Sequence, residues 1–189
     1  MQIWIKGLCL CVLVVLSACQ SMFPKAQGLV QTTWPTDAMM SNYQRQDQVE
    51  VMWKDQSFSF LLYQQQKGEI LEMFALTLTG QQLFKLQFDG KSVHVEERIP
   101  QMRLLPFDFV VRDILFATYP NFAEKQPSNV GVEQELNHTT IKINKNNVLL
   151  IEKKDNSIEL DNVQVPYKMI FTSVENTLED NSLEDQALH

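Results

Sequence analysis

Three cysteines, three histidines and 23 acidic side chains are the groups of this chain with obvious chemistry, and their spacing reduces the candidates to one thiol. Cys19 follows Leu16-Ser17-Ala18 at the close of an apolar run, where a cysteine is presented for covalent modification. Cys9 and Cys11 lie inside that run. His94, His138 and His189 are scattered, with none at metal-ligand spacing from another or from a cysteine. Glu96 and Glu97 are neighbours on an expected strand, so they point to opposite faces and cannot work as an acid and base pair. Nucleophile-elbow, phosphate-loop and dinucleotide glycine patterns are missing, in a chain with only six glycines. Asn137-His138-Thr139 matches a glycosylation triplet and is read as chance. The expectation is a protein that is not an enzyme and takes no metal or cofactor.

The element that positions Cys19 is an export signal. Lys6 supplies the positive start, Leu8 to Val15 the apolar stretch, and small Ser17 and Ala18 the cleavage site. A spanning helix needs ~20 apolar residues; this run is about half that, and polar Gln20 and Ser21 follow at once. Leu-Ser-Ala-Cys resembles the bacterial lipobox, in which the thiol is diacylglyceryl-modified, the signal is cut before the cysteine and the new amine is acylated. Residues 1–18 are therefore expected to leave, and Cys19 to carry palmitate-like chains. Two or three chains make a stable anchor where one gives reversible attachment. Gln20, rather than Asp, resembles the sorting rule for the outer membrane. The expected location is its periplasmic face in a Gram-negative bacterium, with the membrane as partner through the acyl chains. The mature chain keeps one cysteine, already used by lipid, so no disulfide is expected. Removing Lys6 with the signal moves the formal charge from -7 to -8, which argues against nucleic-acid binding.

Residues 19–40 read as a lipidated N-terminus and tether, broken by Pro24 and Pro35, and 176–189 as an acidic, solvated tail. The domain is expected over 41–175. Within it Val49, Val51 and Trp53 alternate with polar neighbours, as do Phe58, Phe60 and Leu62. Gln64 to Gly68 reads as a hairpin turn. The next strand, Glu69 to Thr77, is expected to present Phe74, Leu76 and Leu78 on one face, and Phe84, Leu86 and Phe88 line a fourth. Asp89-Gly90 is a two-residue hairpin signal leading to Val93 and Val95. The period then becomes helical: Phe107, Val110, Val111, Ile114 and Leu115 fall at i, i+3, i+4, i+7 and i+8. Pro106 suits the first turn, Asp108 complements the dipole there, Asp108 and Arg112 are spaced to pair on the outer face, and Pro120 stops the helix. Five further strands follow, from Val132 to Val174.

About nine short strands and one helix describe a mainly β fold: a strongly curved antiparallel sheet, an open half-barrel, with one or two helices covering the concave face. So wide a sheet outgrows a helix of three turns, leaving an apolar pocket. Phe58, Phe60, Phe74, Leu76, Phe84, Leu86 and Met169 are the candidate lining, under a helix presenting Phe107, Val110, Val111 and Ile114. Periodicity alone leaves a filled core and an open cavity equally available.

From Phe74 to about Val174 the chain resembles an uncharacterised lipoprotein family, found in proteobacteria beside aryl-polyene biosynthesis genes and described as similar to LolB. The matching segments are Leu76-Thr77-Leu78-Thr79-Gly80-Gln81-Gln82-Leu83-Phe84, the Asp89-Gly90 turn, Leu104-Leu105-Pro106 to Tyr119-Pro120, and the pair Ser157-Ile158-Glu159-Leu160 and Tyr167-Lys168-Met169-Ile170-Phe171. LolB accepts lipoproteins from a soluble periplasmic carrier and delivers them to the outer membrane. The resemblance implies an open barrel of LolB or LolA type, a lipid-handling role with an acyl, lipoprotein or aryl-polyene cargo, and a LolA-like carrier as partner. LolB also contacts the membrane through a loop leucine before a glycine. Thr79 stands at that position here, beside Leu78, so the pair is the candidate membrane or cargo loop.

Together these readings predict a monomeric, non-enzymatic outer-membrane lipoprotein that binds or transfers an acyl or lipid cargo. The alternative is an accessory lipoprotein that scaffolds an envelope complex and binds no lipid; a third reading, a hydrolase of envelope lipids or glycans, would need a carboxylate, serine or histidine buried in the same groove.

Overall fold

The alternation of apolar and polar side chains builds a sheet from both halves of the chain, and the helix lies between them in sequence. The structure, a computed structural model, describes residues 42–174. The expected signal, Cys19, the tether and the acidic tail lie outside the described residues. The strands are β1 (Gln44–Trp53), β2 (Gln56–Lys67), β3 (Ile70–Leu76), β4 (Gln82–Phe88) and β5 (Val93–Arg98), then β6 (Val130–Glu135), β7 (His138–Ile143), β8 (Asn146–Lys153), β9 (Ser157–Asn162) and β10 (Tyr167–Ser173), with α1 (Phe107–Thr118) between the two sets. The fold is mainly β: one open antiparallel sheet of ten strands and one α-helix among the described residues.

The spatial order is β5-β4-β3-β2-β1-β10-β9-β8-β7-β6. Each half is a meander, and the halves join where β1 pairs with β10, setting Val49 opposite Phe171 and Val51 opposite Met169. The two edges, β5 and β6, are consecutive in sequence, so residues 99–129, with α1 among them, must cross from one edge to the other. That crossing shows the curvature. In a flat sheet β5 and β9, six places apart, would be separated by roughly 29 Å at the usual strand spacing, yet α1, about 10–12 Å across, touches both. The sheet therefore wraps round the helix. Its inner face carries Val49, Val51, Phe60, Leu62, Met73, Leu86, Phe88, Ile141, Leu160 and Phe171, all buried.

The helix ends where backbone chemistry requires. Pro106 occupies the position before the first helical residue and Asp108 the first turn. At the other end Tyr119 takes extended backbone (ψ 125), because the ring of Pro120 disfavours helical geometry in the residue before it.

Four expectations are corrected. The strands number ten rather than about nine. Gln64 to Gly68 is not a turn: β2 runs to Lys67, and Gln64 and Gln66 are buried in it, because both amides find partners on the helix end. β3 turns Leu71, Met73 and Ala75 inward, so Phe74 and Leu76 lie on the outer face. Arg112 does not pair with Asp108 at the surface; it is buried and ion-paired with Asp113 at 2.6 Å.

Candidate functional site

An apolar cavity of about 510 Å³ opens at the end of the sheet where β1 meets β10. Alternation on the strands supplies its walls: Val51 and Trp53 from β1, Phe58 and Phe60 from β2, Phe84 from β4, Tyr167 and Met169 from β10. Phe107, Phe109 and Val110 of α1 form the roof with Met102, Leu104 and Leu105 of the preceding connection. One wall is a run of rings, Phe58 to Phe60 at 6.1 Å, Phe60 to Phe84 at 6.3 Å and Phe84 to Phe107 at 5.2 Å between centroids, distances at which aromatic pairs attract. Gln56 and Gln101 contribute the polar amides of the lining. At the rim Leu104 is 78%, Phe58 45% and Leu105 37% exposed.

The roof is held by polar contacts away from this opening. In mid-helix, Asp113 accepts from Arg112 Nε at 2.7 Å, from Asn162 Nδ2 at 2.7 Å and from the Tyr167 hydroxyl, and the Arg112 guanidinium lies 4.3 Å over the Phe109 ring. Burial pushes the Asp113 carboxyl above its ordinary range, against the pull of Arg112, Tyr167 and Asn162. Burial, with the Asp113 charge beside it, also drives the Tyr167 hydroxyl up, so it remains a donor. At the helix end, Gln64 Nε2 donates to Thr118 Oγ1 at 3.0 Å, the Tyr119 hydroxyl to Gln66 Oε1 at 3.2 Å, and the Tyr43 hydroxyl to the Thr118 carbonyl at 3.3 Å. Desolvation pushes the Tyr119 hydroxyl up to about 12. Unmade, each such buried bond costs about 1–3 kcal/mol, so the C-terminal half of α1 is latched to β2, β9 and β10. The N-terminal end meets the cavity through apolar contact.

Phe58, Phe60, Phe84 and Met169 of the expected lining border the cavity, as do Phe107 and Val110 of the expected cover. Leu86 is buried elsewhere in the core, as are Val111 and Ile114. Phe74 and Leu76 are corrected: they face outward, where Phe74 stacks on Tyr63 at 4.5 Å. The residues of β3 that point inward are Leu71, Met73 and Ala75, because pairing with β2 and β4 aligns them with Leu62, Phe84, Leu86 and Phe88. Leu78 is 57% exposed in the connection after β3, with Thr79 Oγ1 2.9 Å from Thr77 Oγ1 and Gly80 at φ +86; neither Leu78 nor Thr79 borders the cavity. Sequence reasoning missed Val51, Phe109 and Tyr167 as lining, with Met102, Leu104 and Leu105 of the preceding connection, and the whole Asp113 network. One signal was available. Phe109 and Phe116 fall off the apolar stripe of the helix, leaving so narrow a polar side that α1 must be buried almost all round.

A second hollow, about 600 Å³, lies at the opposite end and mixes apolar groups with Arg45, Glu124, Lys153, Lys154 and Asp155. It is the larger of the two, but its charged lining suits water, whereas the first suits hydrocarbon. Among the described residues no three His, Cys, Asp or Glu side chains are placed to hold a metal ion. No helix there is long and apolar enough to cross a membrane.

The family model described as "Protein of unknown function (DUF3261)" matches residues 44–175, more than half of the chain. The chain belongs to this family. No curated protein matches it. In this DUF3261 member the matched residues include all ten strands, α1 and every residue that borders the apolar cavity.

Proposed function

We propose that this DUF3261 protein is a non-enzymatic, lipid-anchored outer-membrane protein that holds an acyl or polyene chain in the apolar cavity. It would pass that chain between a periplasmic carrier of LolA type and the bilayer. The observation that carries the reading is the cavity itself. Its volume of about 510 Å³ lies within the usual range of small-molecule sites, ~300–1,000 Å³, and its lining offers hydrocarbon almost no polar competition. Passage of a chain between proteins needs no catalytic group, only different affinities in successive sites. The open antiparallel sheet with a helix against its inner face supports the LolB-like reading. In the same reading Cys19 is the anchor, and Leu78 with Thr79 forms a membrane or cargo loop.

The test is mass spectrometry of lipid released by denaturing the purified full chain, which frees cargo and leaves covalently attached lipid on the protein. Bound lipid is expected, and Val110→Trp, which fills the cavity beneath the roof, should remove it while thermal unfolding stays cooperative. Equal lipid in both proteins, or none in either, would refute the cavity as a cargo site.

A further inference from the structure

Antiparallel connections alternate between the two ends of the sheet, and the ends of this one differ in chemistry. The cavity end is formed by the connections 54–55, 77–81, 99–106, 144–145 and 163–166. They carry three cations, Lys54, Arg103 and Lys145, against one acid, Asp55, in a chain of net charge -7. The connections at the other end, 68–69, 89–92, 136–137 and 154–156, with residues 119–125 after α1, carry Glu69, Asp89, Glu124 and Asp155 against Lys91, Lys125 and Lys154. Exposed apolar groups divide the same way. Phe58, Leu78, Leu104, Leu105 and Val163 stand at the cavity end; of the other exposed large apolar side chains among the described residues, Leu136 lies in a connection at the opposite end, Val132 borders the second hollow and Leu150 lies within β8.

We infer that the rim of the cavity, built by Leu104, Leu105 and Phe58 with Arg103 and Lys54 beside them, seats on an anionic lipid bilayer, so that the cavity opens directly into the leaflet. This rests on the proposed acyl-cavity reading and adds where the cargo enters or leaves. The rim is continuous with the lining, since Leu104, Leu105 and Phe58 belong to both, and a chain sliding out would cross no polar barrier. Exposed leucines flanked by cations match an interfacial surface, where apolar groups enter the acyl region and Lys or Arg remain among the headgroups. Trp53 fits the same boundary: it borders the cavity and lies 5.0 Å from Lys54 Nζ, an aromatic body with a charged tip.

The N-terminal attachment permits this orientation. The described chain enters β1 at the end opposite the cavity, so an anchor at Cys19 must reach past the length of β1. That strand has ten residues and spans roughly 33 Å. The 23 residues from Cys19 to Asn42 reach at most roughly 80 Å when extended, more than twice the distance required.

The experiment uses the mature, membrane-extracted protein carrying Leu104→Cys, labelled with an environment-sensitive dye and reconstituted in vesicles of phosphatidylethanolamine and phosphatidylglycerol; the parent protein taken through the same labelling reads any dye on native cysteine. Leu136→Cys, at the opposite end, is the reference; both side chains are highly exposed, 78% and 98%, so neither change threatens the fold. The dye at 104 is expected to shift to the blue on vesicle addition and to be shielded from aqueous iodide, with the dye at 136 unchanged. A dye at 104 that stays open to iodide, whether or not the protein floats with the vesicles, overturns the inference. So does one that is shielded only by an added periplasmic protein. Lipid released from the unlabelled parent protein is measured in parallel: lipid present with an unshielded dye fails the rim alone, and a shielded dye with no lipid in the parent fails the cavity reading.

Discussion

Asn162 Nδ2 lies 2.7 Å from Asp113 Oδ2, a bond between β9 and the middle of α1 across 49 residues of sequence. With the Tyr167 hydroxyl on the same oxygen, it ties the roof of the cavity to two adjacent strands of the sheet.

Tyr167→Phe removes only the hydroxyl and leaves the ring on the cavity wall. A hydrogen bond to a charged group contributes about 1.5–3 kcal/mol, and a loss of that size is expected in urea denaturation at neutral pH. The loss should depend on pH in a set direction. Burial holds the folded-state carboxyl of Asp113 above its unfolded value of 3.8. Its contribution to stability is then full below the unfolded pKa and falls as pH rises through the folded one. Without the tyrosine donor the ionised form is poorer still, so the variant falls more steeply, and the two proteins converge in acid. Parallel stability curves from pH 4 to 8 would contradict this.

Gln64 and Thr118 form the latch at the other end of the helix. Thr118 Oγ1 also donates to the Ile114 carbonyl at 2.8 Å, so it keeps one bond when Gln64→Leu removes the other. Each single change, Gln64→Leu or Thr118→Val, should cost about 1–2 kcal/mol. The double variant should cost less than their sum by at least about 0.5 kcal/mol, since the residues are in contact. A double-mutant cycle in urea measures it; additive losses would mean the pair does not act together.

The inward and outward faces of β3 make opposite predictions. Met73 is fully buried, and Met73→Ala should cost about 2–5 kcal/mol through lost burial and the space left behind. Leu76 faces outward, and Leu76→Glu should stay within about 1 kcal/mol of the parent. Thermal unfolding compares them, and a severe loss in Leu76→Glu would return that residue to the core.

Leu136 has φ +46 in the turn between β6 and β7 and is 98% exposed. A left-handed backbone costs a leucine roughly 1–2 kcal/mol, while glycine adopts it freely at some entropic cost in the unfolded chain. Leu136→Gly should therefore stabilise the protein by about 0.5–1 kcal/mol, read as a rise in the urea midpoint.

Cys19→Ser should abolish metabolic labelling by palmitate and release the protein from the outer-membrane fraction. Labelling that survives the change would place the lipid on another residue.

The order and type of the elements were legible because they depend on local rules. Alternation marks a strand with one buried face, as Val49-Val51 and Phe84-Leu86-Phe88 show, and a period of 3.6 between two prolines marks α1 within a residue of its ends. Both signals need only neighbours in sequence. The tertiary structure decided what local rules leave degenerate. On β3 both faces are apolar, Leu71, Met73 and Ala75 against Phe74 and Leu76, and only pairing with β2 and β4 selects the inner one. A run of three glutamines looks like a turn until Thr118 and Tyr119, more than fifty residues away, receive two of them inside the protein. The cavity belongs to the same class. Every residue around it would serve equally in a filled core, and the space exists because polar bonds to Gln64, Asn162 and Tyr167 latch one half of α1 to the sheet while the other half spans a curve wider than its side chains can fill.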